Sequence, residues 1–169
     1  PCRYDGKSKP VATVVQLVKE HNALPLCPEV LAGLGTPRCC SERLGDRIQT
    51  KDGVDITIAL RQGAERALLK AQEAGCTIAI LKQRSPSCGA GQIYDGTFSG
   101  TIIEGDGVWT ELLRQSSFTV FTEEDLPLPP TFFFSSFTLP PYILIYPPIQ
   151  PFLHLFILLT NFYFIIYYL

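Results

Sequence analysis

Between Val54 and Leu81 the hydrophobic period of the chain changes once, and this change limits the possible folds more than any other feature. Ile56, Ile58, Ala59, Leu60, Ala64, Ala67, Leu68 and Ala71 recur at three- and four-residue intervals, as on one face of a helix. The spacing predicts a helix over 54–74, with Asp55 as N-cap and Gly75 as C-cap. Thr77-Ile78-Ala79-Ile80-Leu81 then runs apolar without interruption. A strand that is apolar on both sides needs cover on both faces, which a parallel sheet flanked by helices provides.

The flanking sequence repeats the alternation. Val11, Val14, Val15, Leu17 and Val18 keep helical spacing after Pro10, which a first helical turn tolerates. Ala23–Leu26 reads as a strand delivering a loop at Cys27-Pro28-Glu29-Val30. Residues 33–53, with Gly33, Gly35, Pro37, Gly45 and Gly53, read as a long surface connection. Gly105–Gln115 predicts a helix and Phe118–Phe121 a last strand. Helix and strand in this order predict an α/β fold, a three-layer Rossmann-like sandwich with a mainly parallel sheet that one more N-terminal strand would complete. Ligands of such sheets gather at the carboxyl ends of strands. Cys27 and Cys88 both fall there, so they are expected to meet in one site.

Charge divides the chain in two. All 14 Lys and Arg lie at or before Arg114, and all 16 Asp and Glu at or before Asp125. Residues 1–125 therefore read as a globular domain long enough to bury a core. Residues 126–169 read as an apolar tail rich in Pro and Phe, with Phe132-Phe133-Phe134 and paired prolines. Phe152–Leu169 is close to the roughly 20 residues that span a bilayer. His154 and Asn161 interrupt it, and no basic flank would orient it. The abrupt change of composition at Asp125 favours aberrant or disordered sequence over a membrane anchor. The net charge of −2, with no basic stripe, argues against a nucleic-acid polymer as partner. The chain contains no Met and opens on the dense string Pro1-Cys2-Arg3-Tyr4-Asp5-Gly6, which leads us to expect a structured segment before it. No secretory signal is visible, so the six cysteines are expected to be reduced thiols of a cytoplasmic protein.

Two motifs carry chemistry. In Cys27-Pro28-Glu29 a thiolate can act as nucleophile or soft metal ligand, and a carboxylate two residues on can move protons. The bland alternative is a core cysteine beside a solvated glutamate. In Ser85-Pro86-Ser87-Cys88-Gly89, two hydroxyls, a stiffening proline, a thiol and a glycine form a compact loop whose N–H groups could face a ligand. Lys82 and Arg84 would lower the pKa of a nearby thiol. Cys39-Cys40 reads as incidental, and Cys76 as a core residue. His21 and His154 stand alone, which leaves a histidine triad or zinc site without support. Tyr94-Asp95-Gly96-Thr97-Phe98 reads first as a turn.

Six strings in order make a more specific pattern. Cys-Arg-Tyr-Asp-Gly-Lys-Ser at 2–8, Leu-Cys-Pro-Glu-Val at 26–30, Gly-Leu-Gly-Thr-Pro-Arg at 33–38, Gly-Val-Asp-Ile-Thr at 53–57, Leu-Lys-Gln-Arg-Ser-Pro-Ser-Cys-Gly at 81–89 and Ile-Tyr-Asp-Gly-Thr-Phe-Ser-Gly at 93–100 resemble the DUF523 family of iron–sulfur desulfidases. The resemblance spans residue 2 to about residue 123 and leaves the tail without a counterpart. It implies a [4Fe–4S] cluster held by three cysteines, with one open iron that binds a thiocarbonyl sulfur. By motif, Cys27 and Cys88 would be cluster ligands, Glu29 would shuttle protons, and Ser85 would assist by hydrogen bonding. The family's third ligand belongs to a Cys-Leu-x-Gly loop ahead of the Arg-Tyr-Asp-Gly string, and that stretch is absent here; Cys2 matches a different position.

The resemblance implies an enzyme that removes sulfur, without redox change, from a thiolated nucleobase or similar small thioamide. Two alternatives stand beside it. One is a non-catalytic iron–sulfur or thiol sensor module, which would need Cys27 and Cys88 but not Glu29 or Ser85. The other is an inactive fragment.

Overall fold

A computed structural model describes residues 3–7, 10–20, 22–127 and 163–166. Residues up to Leu126, together with the strand at Tyr163–Ile166, belong to one compact unit. The remaining tail, with His154 and Asn161, lies outside the described residues, as do Cys2 and His21.

The predicted alternation is present. Helix α1 (Ala12–Glu20) leads into strand β1 (Asn22–Pro25), and a short helix α2 (Pro28–Leu31) follows at once. Helix α3 (Thr57–Glu73) precedes β4 (Ile78–Leu81), and α4 (Val108–Gln115) precedes β7 (Thr119–Thr122). All four β4 residues are buried, as the unbroken apolar run requires. Helix α3 starts later than its apolar pattern suggests. Asp55 Oδ1 accepts the Thr57 N–H at 2.9 Å, but Ile56 stands at the cap position. Gly75 ends the helix with φ +71 and donates its N–H to Gln72 O, as a left-handed C-terminal residue does.

Two hairpins depart from the sequence reading. The connection expected over 33–53 contains antiparallel strands β2 (Ser41–Leu44) and β3 (Arg47–Thr50), joined by Gly45-Asp46. It is not merely a surface excursion, because Ile48 is fully buried in the core. Strands β5 (Gln92–Tyr94) and β6 (Ile102–Glu104) pair on either side of the expected turn.

The main sheet has the order β1-β8-β4-β7, where β8 is Tyr163–Ile166. Every pairing in it is parallel. Ile78 pairs with Thr119 on one side and with Phe164 on the other. The four residues of β8 therefore hold a central place in the sheet, although they come from the segment whose composition sets it apart. Among the described residues, no helix is long and apolar enough to cross a membrane.

Helix α3 is the hub of the core. Ala64, Ala67 and Ala71 present small side chains, so α2 and α4 pack close to it. At Gly63 there is no room for even a methyl group. A Cβ there would lie 2.2 Å from Pro28 O and 2.7 Å from Ala32 N. The α3 backbone thus presses directly on α2, which sets the position of the first motif.

Candidate functional site

Strand β1 ends at Pro25, and the chain enters α2 three residues later, at Pro28. The sequence suggested a loop at Cys27-Pro28-Glu29-Val30; it is a helical turn instead. Pro28 suits the first helical position, because its ring fixes φ and its missing N–H would have had no helical partner. Cys27 is the N-cap, and its Sγ accepts the Val30 N–H at 3.4 Å. Glu29 follows in the first turn and is only 6% exposed, so the solvated alternative does not hold.

The second motif leaves the carboxyl end of β4. Its loop is held from two sides. Gln83 Oε1 accepts the N–H groups of Arg84 (3.2 Å) and Ala90 (3.0 Å), and its Nε2 donates to Ala90 O at 3.1 Å. From the other side the first N–H groups of α4 take the loop's carbonyls. Val108 donates to Pro86 O at 3.1 Å and Trp109 to Ser87 O at 2.9 Å. These are groups that a helix start leaves without intrahelical partners. Gly107 permits the contact, since a Cβ there would lie 2.3 Å from the Ser87 carbonyl carbon. Ser87 and Cys88 are fully buried as a result.

The two motifs meet at Glu29. Ser87 Oγ donates to Glu29 Oε1 at 3.0 Å and lies 3.5 Å from Cys88 Sγ. A hydroxyl has one proton, and the shorter contact to an acceptor in an ion pair takes it. In the 2.9 Å contact between the two serines, Ser85 is then the donor. Ser85 Oγ also accepts the N–H groups of Ser87 (3.2 Å) and Cys88 (3.3 Å). The result is a directed chain from Ser85 through Ser87 to Glu29.

The other carboxylate oxygen, Glu29 Oε2, belongs to Arg38. Arg38 Nε donates to it at 2.8 Å, and Nη2 donates to the same oxygen. Both side chains are nearly buried, at 11% and 8% exposed. Arg38 Nη1 reaches back to Gly35 O at 3.2 Å and Thr36 Oγ1 at 3.0 Å. A buried acid paired so tightly is stable only with its partner present; removing one member typically costs about 3–5 kcal/mol.

Sequence reasoning singled out Cys27, Glu29, Ser85 and Cys88, and the structure brings these motifs together. It did not single out Ser87 or Arg38. The string Ser85-Pro86-Ser87 holds two equivalent hydroxyls, and only the fold shows which of them touches Glu29. Lys82 and Arg84, the two cations of this loop, each meet an acidic side chain. Lys82 pairs with Glu123, and Arg84 Nη1 with Glu124 at 2.7 Å. Cys76 is a core residue, and burial pushes its thiol pKa up. Cys39 is exposed and Cys40 half-buried just before β2. Among the described residues, no three His, Cys, Asp or Glu side chains gather as a metal site.

The arrangement brings two buried cysteine-bearing segments to one buried carboxylate. Known proteins share these segments. The sequence profile of the 2-thiouracil desulfurase family matches residues 1–125. An uncharacterised protein of Bacillus subtilis (strain 168), YbbK, is 40% identical over 135 residues, which cover 74% of this chain and 89% of that one. The solved structure of the [4Fe-4S]-dependent thiouracil desulfidase TudS superposes with a TM-score of 0.70 at 44% identity, covering 73% of this chain and 83% of that one. With its two cysteine motifs, the glutamate between them and the parallel sheet that carries both, this chain belongs to the 2-thiouracil desulfurase family.

Proposed function

We propose that this chain is a [4Fe–4S]-dependent desulfidase that converts a small thiocarbonyl compound, a thiolated nucleobase or related thioamide, to its oxo form. The reaction balances without an electron donor: C=S and water give C=O and hydrogen sulfide. The observation that carries the reading is the buried Glu29, bonded through Ser87 to the Cys88 loop and standing two residues from Cys27.

The donor set fits an iron–sulfur cluster in kind. Cys27 and Cys88 are buried cysteines, and thiolates are the ligands such clusters take. They supply two ligands, and among the described residues no third His, Cys, Asp or Glu joins them. Cys27 and Cys88 would hold the cluster, and an iron with an open position would supply a Lewis acid for the thiocarbonyl sulfur.

The chain's own residues do the rest. Glu29 Oε1 accepts a proton from the attacking water and returns one to the substrate nitrogen or the departing sulfur. Ser87 holds that oxygen in place, and Ser85 holds Ser87. Ser85 thereby assists one step removed from the carboxylate. Burial of Glu29 keeps bulk water from competing for the proton. The same reading takes residues 1–125 as a three-layer Rossmann-like sandwich in the cytoplasm, where free thiols persist.

The test is anaerobic iron and sulfide reconstitution of the full chain, followed by 2-thiouracil and a sulfide assay. Cluster absorbance with stoichiometric sulfide release is the expected result. A loaded protein that releases no sulfide from 2-thiouracil or simple thioamides would leave the sensor reading in its place.

A further inference from the structure

The guanidinium of Arg38 makes an asymmetric contact. Its Nε and Nη2 both donate to Glu29 Oε2. Oε1 is the oxygen that accepts from Ser87, on the side of the Cys88 loop. A carboxylate on a freely rotating side chain presents either oxygen. Here two charge-assisted bonds fix one of them, so the other is the oxygen that faces the second motif.

Arg38 is itself fixed. Its backbone N–H donates to Tyr4 O at 2.7 Å, and its Nη1 is anchored on Gly35 O and Thr36 Oγ1. The segment that places it, 33–38, returns to α2 through bonds from Gly33 N to Val30 O (3.0 Å) and Leu34 N to Glu29 O (3.1 Å). The guanidinium therefore sits on a rigid loop that starts from the backbone of the residue it orients. Lysine would keep the charge but not the planar fork that makes two bonds to one oxygen.

We infer that Arg38 is a positioning residue: it clamps Glu29 Oε2 so that Oε1 faces Ser87 and the Cys88 loop. This inference rests on the desulfidase reading for its effect on turnover, but the geometry can be tested without it. In a crystal structure of full-length Arg38→Ala, Glu29 Oε1 is expected to leave Ser87 while α2 keeps its place. If Glu29 stays within about 3 Å of Ser87 Oγ, a normal hydrogen-bond distance, the proposal is overturned whatever the protein catalyses.

Turnover gives the second arm. Arg38→Ala should lower kcat about 10- to 100-fold, the usual size of an effect through an orienting partner. Iron content and cluster absorbance should match the wild type. Added guanidinium should restore part of the loss, and ammonium should not. Arg38→Ala should cost nothing further in a Glu29→Gln background. A loss that adds in full to that of Glu29→Gln, or that follows lost iron, would assign Arg38 to stability alone. An inactive wild type with the crystallographic change present would sink the desulfidase reading and leave the clamp standing.

Discussion

Cys27 and Cys88 on one side, and Cys39 and Cys40 on the other, are the same side chain in opposite circumstances. The first two are buried beyond the carboxyl ends of β1 and β4, Cys27 as the cap of α2 and Cys88 in the loop that Gln83 and the start of α4 hold. The vicinal pair lies at the end of a surface loop. There the Cys39 thiol meets Cys40 and the Asp52 carboxylate. Adjacency in sequence thus brings together two thiols at the surface, whereas two distant cysteines stand on segments joined by the Ser87–Glu29 hydrogen bond. What makes a cysteine a candidate ligand here is the rigidity of its loop and the polar groups bound to it, not how close the next cysteine is in sequence.

Replacing the thiols one at a time tests this contrast most directly. After anaerobic reconstitution, Cys27→Ala and Cys88→Ala should retain no stable cluster, while Cys39→Ala and Cys40→Ala should match the wild type in iron per chain. Lost iron in either vicinal variant would erase the distinction.

Removal of the shared glutamate should come next in size. Glu29→Ala is expected to reduce sulfide release by about 10²- to 10³-fold, the scale of a lost general base. It also strands the Arg38 guanidinium and should cost about 3–5 kcal/mol in urea unfolding. If turnover is unchanged, Glu29 is not the proton carrier.

Loop rigidity can be tested without touching any polar group. A methyl at Gly107 meets the Ser87 carbonyl carbon at 2.3 Å and Cys88 N at 2.5 Å, whereas nothing lies within 4 Å of one at Gly35. Gly107→Ala should therefore destabilise the fold by about 1–3 kcal/mol and loosen cluster retention. Gly35→Ala should stay within about 0.5 kcal/mol of wild type. Equal behaviour of the two variants would show that the Cys88 loop tolerates displacement.

The smallest effect belongs to the exposed pair. Hydrogen bonds from the Thr50 hydroxyl and the Cys39 thiol hold the Asp52 carboxyl below its usual 3.8. A depressed pKa stabilises the fold above 3.8, and that contribution is lost as pH falls through the lower native value. Cys39→Ala should move the Asp52 titration, followed by NMR, back up toward 3.8 without a change in fold. A curve that does not move would mean the thiol is not bonded there.

Much of the architecture was legible in the sequence. The helices at 12–20, 57–73 and 108–115, and the strands at 22–25, 78–81 and 119–122, all follow from hydrophobic spacing. The β2–β3 hairpin was not read, although Gly45-Asp46 between two short runs is a two-residue hairpin signal. Polar positions in Ser41–Leu44 and Arg47–Thr50 obscured the period, and Ile48 alone reaches the core. Arg38 was quoted within a motif but given no partner, because its ion pair depends on where the 33–38 loop returns.

By itself the sequence determined the alternation of helix and strand, the delivery of two cysteine motifs to strand ends, and the family. These are local or ordered properties, fixed by periodicity and by strings of neighbouring residues. Only the tertiary structure decided that Ser87 rather than Ser85 touches Glu29, that Arg38 takes its second oxygen, and that Tyr163–Ile166 lies between β1 and β4. Each of these is a choice among chemically equivalent candidates. Hydrogen-bond geometry and strand pairing made the choice, since both depend on distances that open only when remote segments pack.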